Sequence, residues 1–150
     1  MGFFKTGAIL SFFRELFVYH HSSLEFRAKQ LAAMIGANKR VEECEKELLE
    51  EIAKEIYPNE PNRADILVHT VLEYVHKIIE LNGLDIDELL IDIDKELKET
   101  PRFVKKINIE MLKRFLECDS DEDTKILQIR IIEFLENEIK EYSDKIKEEG

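Results

Sequence analysis

The sequence predicts an all-α fold, a single helical bundle, and three observations carry that prediction. The composition is rich in Leu, Ile, Glu and Lys, with only five Gly, three Pro and no Trp in 150 residues, which favours helices over turn-rich or strand-rich architectures. Apolar residues recur at intervals of three and four, the repeat that lines one helix face. No stretch alternates apolar and polar side chains with the period of two that a half-buried strand requires. The length suits one core, so a single domain of about six to seven helices is expected.

Three stretches are distinguished: a hydrophobic aromatic arm at 1–21, a helical domain at 22–140 and a charged helical tail at 141–150. The arm, MGFFKTGAILSFFRELFVYHH, holds five of the nine Phe. As a helix it would gather Ala8, Ile9, Phe12, Phe13, Leu16 and Tyr19 on one face, opposite Ser11, Arg14 and Glu15. Lys5, Arg14 and Glu15 interrupt it, leaving it short of the about 20 mostly apolar residues of a bilayer span. The arm is expected to pack on the core or in a dimer contact through Phe3, Phe4, Phe12, Phe13, Leu16 and Phe17, with a membrane surface as the alternative.

Ser22 with Glu25 reads as a capping box that opens a helix from about Leu24 to Gly36, with Leu24, Ala28, Leu31, Ala32 and Ile35 inward. A second helix, from about Val41 to Tyr57, carries Cys44, Leu48, Ile52 and Ile56 in register and stops at Pro58. Pro61 suits the first turn of a third helix. Its face runs through Leu67, Val71, Val75 and Ile79 to the stop signal Asn82-Gly83. Asp85 with Glu88 opens a fourth, bearing Leu89, Ile93 and Leu97. Thr100-Pro101 begins a fifth, from Phe103 through Ile107 to Phe115. After the acidic turn Cys118–Asp123 comes a long last helix with Ile132, Leu135, Ile139, Tyr142 and Ile146, whose end from about Lys140 thins in apolar content.

The net charge of −11 would repel a phosphate backbone, and no Lys/Arg run offsets it, so nucleic-acid binding is not expected. The charge is uneven. Residues 1–30 carry Lys5, Arg14, Arg27 and Lys29 against Glu15 and Glu25, while the rest holds 18 basic against 31 acidic side chains. Such asymmetry marks an arm with its own partner. Cys44 and Cys118 lack metal-ligand spacing and are expected to be free thiols in a reducing cytosol.

Candidate chemistry is sparse. His69, Glu73 and His76 share a helix face, and Glu-x-x-His is a di-iron ligand pair, but that centre needs a second such pair and none occurs. Asp119, Asp121 and Asp123 imitate the alternate carboxylates of a calcium loop, yet Thr124 replaces the turn's Gly and Arg130 its bidentate Glu. The acidic turn is therefore weighed as a helix cap against a weak divalent-cation site. No cofactor is otherwise expected. The cysteines have no nucleophile signature, and neither a phosphate-binding glycine loop nor HExxH is present. A non-enzymatic module is expected, cytoplasmic or peripheral at the inner face of a membrane, with a protein partner or second copy; the alternative is a cation-binding or sensing domain.

The succession of turns and helices resembles the TerB family, helical domains named for tellurite resistance, over about residues 24–140. Its members have two related halves, each with a turn of the form Ala-Asp-Gly-x-hydrophobic followed by acidic residues and a helix. Ala37-Asn38-Lys39-Arg40-Val41-Glu42-Glu43 falls on the first turn, LNGLDIDELLIDIDKEL looks like the central segment, and Cys118-Asp119-Ser120-Asp121 falls on the second. Asn38 stands for the first Asp and Lys39 for Gly; in the second turn Asp119 matches, Ser120 replaces Gly and Glu122 takes the hydrophobic slot. The resemblance implies a stress-related scaffold with cation binding at such turns. Some membrane-associated J-domain co-chaperones carry a similar domain behind a hydrophobic segment, which implies a co-chaperone setting.

Overall fold

A computed structural model describes residues 22–80, 85–118 and 121–149. They form α1 (Ser22–Gly36), α2 (Glu43–Ile56), α3 (Pro61–Ile79) and α4 (Ile86–Glu99), then a 3-10 segment at Pro101–Lys106, α5 (Ile109–Lys113), a second 3-10 segment at Arg114–Glu117, and α6 (Glu122–Glu149). No strand occurs among the described residues.

α1 is the axis of the bundle. Sequence periodicity assigns it one inward face, but Phe26, Ala33 and Met34 are as fully buried as Leu24, Ala28 and Leu31. A helix buried all round must be enclosed, and α3, α4 and the first 3-10 segment pack on it, with α6 alongside. Small residues let the neighbours close in: a Cβ on Gly36 would lie 2.9 Å from the Ile78 Cδ1 methyl. Several polar side chains that this burial traps find partners. Gln30 Nε2 donates to the Lys106 carbonyl at 3.3 Å, Gln128 Nε2 donates to the Met34 carbonyl at 3.0 Å, and Lys29 reaches Glu96 at 3.0 Å.

The predicted boundaries hold where local chemistry sets them. The Asp85 side chain accepts the Glu88 N–H at 2.7 Å, and Pro61 occupies the first turn of α3. The stretch expected as one fifth helix is broken. Ile107 is extended at φ −95, ψ 116, and Asn108 restarts the chain by accepting the Met111 N–H at 3.1 Å. The break lets Phe103, Val104, Ile107, Leu112 and Phe115 all be buried; on one straight helix they would span about half its circumference. Tyr142, expected in the thinning tail, is fully buried.

The free thiols expected from the sequence are overturned, because Cys44 and Cys118 form a disulfide with Cα atoms 5.6 Å apart. Cys44 lies in the first turn of α2 and Cys118 ends the second 3-10 segment. Arg114 binds Glu51 at 3.3 Å and Glu55 at 2.7 Å, drawing these two elements together. Sequence spacing could not reveal that meeting, since 74 positions separate the cysteines.

Candidate functional site

Three places gather functional groups. The first is a groove between α2 and α3 of about 740 Å³. Ala53, Tyr57, Pro61, Ala64, Val68 and Leu72 supply its apolar surface, while Lys46, Glu50, Lys54 and Asp65 alternate in sign along its edges. Tyr57 is held between cations: Arg63 lies 5.2 Å and Arg27 6.0 Å from its ring centroid. Burial pushes its hydroxyl above the usual tyrosine value, against the pull of both arginines.

His69 opens into this groove, which separates it from the other members of its motif. His76 Nδ1 faces Glu80 at 3.0 Å, and Glu73 faces Lys77 at 3.9 Å. The three side chains are thus turned to different neighbours. Glu25 accepts the Tyr74 hydroxyl, tying α1 to α3.

The second place joins the two turns. Asn38 Nδ2 donates to Glu45 Oε1 at 3.0 Å, and Glu45, fully buried, also accepts the Glu42 N–H at 3.4 Å. Asn38 Oδ1 lies 3.4 Å from the Thr124 hydroxyl, whose proton goes to Asp121 Oδ2 at 2.7 Å. Asp121 Oδ2 also accepts the Thr124 N–H at 3.1 Å, the geometry of a helix N-cap. The Thr124 hydroxyl and N–H, with Arg40 beyond, hold Asp121 below the usual carboxylate value. Asp121 and Asp123 therefore start α6, and both are exposed. Asp119 and the arm residues Phe3, Phe4, Phe12, Phe13, Leu16 and Phe17 lie outside the described residues.

The third place was not anticipated. Asp94 of α4 meets Glu138 and Glu141 of α6, each offering a carboxylate oxygen within 4.8 Å of the others. Tyr142 donates its hydroxyl to Asp94 Oδ1 at 2.8 Å, and Lys98 lies 3.1 Å from Oδ2. Burial raises Asp94, but Tyr142, Lys98 and Glu138 outweigh it and hold the group below its ordinary value. Burial, then the hydrogen bond and charge of Asp94, push Glu138 up to about 7. The same two causes raise Tyr142. In sequence these residues are three among 33 carboxylates, and only the α4–α6 crossing brings them together.

Comparison with protein families, with curated proteins and with solved structures finds no match. Among the described residues no helix is long and apolar enough to cross a membrane.

Proposed function

We propose that this chain is a non-enzymatic protein-interaction domain of the TerB-like kind, with the α2–α3 groove as its receiving surface. The observation that carries this proposal is the groove itself, an apolar channel along two helices with charges of both signs at its edges. Such a channel suits an amphipathic helix, anchored by large apolar side chains and bordered by complementary charge. The occupant we favour is residues 1–21 of a second copy. That stretch carries five Phe, and its Lys5 and Arg14 against the single Glu15 leave it slightly basic beside the acidic remainder of the chain. Reciprocal exchange between two copies would give a closed two-fold dimer.

The TerB-like assignment draws support from the meeting of the two turns through Asn38 and Thr124. It also draws support from Lys39, which stands where the family's turn has Gly and lies in the left-handed region at φ 60. The assignment implies a stress-related or co-chaperone scaffold. We place the domain at a membrane surface, where the Phe-rich arm would be shared between a partner and lipid; the Cys44–Cys118 disulfide argues against the reducing cytosol expected from the sequence.

Sedimentation and liposome flotation test this on three proteins: the full chain, the chain lacking residues 1–21, and the full chain with Val68→Glu in the groove. The full chain is expected to dimerise and the other two to be monomers. Identical sedimentation of all three rules out the groove. Flotation that needs residues 1–21 while sedimentation does not would assign the arm to lipid.

A further inference from the structure

We propose that Asp94, Glu138 and Glu141 form a binding site for a hard divalent cation of the calcium class, bridging α4 and α6 away from the acidic turn. All three ligands are carboxylates and no imidazole or thiolate joins them. An all-oxygen set selects calcium-like ions over zinc or copper. The three oxygens lie within 4.8 Å of one another, near enough to close on one hard cation with small side-chain movement, and the exposed Glu141 is free to make it.

The second observation lies in Glu138. It is only 7% exposed, its carboxyl faces Asp94, and its Oε2 is buried with no hydrogen-bond partner. A buried acceptor without a donor is costly, and a cation between the three carboxylates satisfies it. Asp94 is already oriented for this role by the Tyr142 hydroxyl. The ammonium groups nearby are replaceable. Lys98 is 62% exposed beside Asp94, and Lys145 stands 3.6 Å from Glu141; exposed pairs of this kind hold weakly. The site does not depend on the groove or its occupant.

Terbium(III) luminescence on the full chain tests the proposal, because Tyr142, bonded to Asp94, is placed to sensitise an ion held there. Emission excited through tyrosine is expected on adding terbium(III), and calcium should quench it by displacement. Glu138→Gln and Asp94→Asn should each weaken binding about tenfold or more, with helical circular dichroism retained, and Tyr142→Phe should dim the emission. The double variant Asp121→Asn/Asp123→Asn should bind as the wild type does. Absence of emission, emission undiminished in Glu138→Gln and Asp94→Asn, or emission lost only in the Asp121/Asp123 variant would each overturn the proposal.

Discussion

Single residues reveal where the backbone and the charges are under stress. Lys39 is the one non-glycine residue with positive φ among those described, a conformation that costs a side-chain-bearing residue about 1–2 kcal/mol. Lys39→Gly is therefore expected to raise the unfolding free energy by about 0.5–1 kcal/mol, after allowing for glycine's freer unfolded chain; an unchanged urea midpoint would refute this. Glu138 is stressed by burial and by Asp94, with Glu141 and Lys98 also facing it and Tyr142 beside it. Its pKa is raised from 4.5 to about 7, so it binds its proton more tightly folded than unfolded. Its contribution to stability is fully present below about pH 4.5 and is lost as the pH rises through about 7. In cation-free protein, Glu138→Gln should gain about 1–3 kcal/mol on wild type between about pH 5 and pH 8. Parallel stability curves for the two proteins would exclude that coupling. The acidic turn shows the limit of reading residues in isolation. Its carboxylates imitate a cation loop that Thr124 and Arg130 break, which favours a cap, and the hydrogen bonds to Thr124 show that Asp121 caps α6.

At the scale of elements, the start of a helix is legible when its cap is local. Asp85 and Pro61 act within their own first turns, so spacing alone located α3 and α4. The interruption at Ile107-Asn108 went unread because the apolar repeat from Phe103 to Phe115 looks continuous in sequence; the requirement to bury five side chains against separate neighbours breaks it. The same limit applies to α1, whose second buried face exists only because other helices surround it. The disulfide is the strongest tie between elements, closing a separation of 74 residues. Reduction, or Cys44→Ser, is expected to lower stability by about 2–4 kcal/mol through the freed entropy of the unfolded chain. The ion pairs of Arg114 with Glu51 and Glu55 should keep the two segments adjacent, so native helical content should persist. A thermal midpoint indifferent to reductant would show that the bond contributes nothing. Cys44 is exposed, so the reductant has access.

At the scale of the whole molecule, an acidic excess is folded around a central apolar helix. Self-repulsion of like charges should make the domain less stable at low ionic strength. Potassium chloride raised to about 0.15 M, where the Debye length is about 8 Å, should lift the thermal midpoint by about 2–4 °C; a flat or falling midpoint would indicate that local ion pairs dominate. The all-helical class, the positions of most helices and most inward-facing residues were determined by the sequence, because propensity, capping and the repeat of three and four are local properties. The disulfide, the enclosure of α1, the Asn38–Thr124 contact and the Asp94–Glu138–Glu141 trio were decided by tertiary structure alone. Each depends on residues distant in the chain becoming neighbours, and with 33 carboxylates spread over almost every helix, no local pattern could have marked which three would meet.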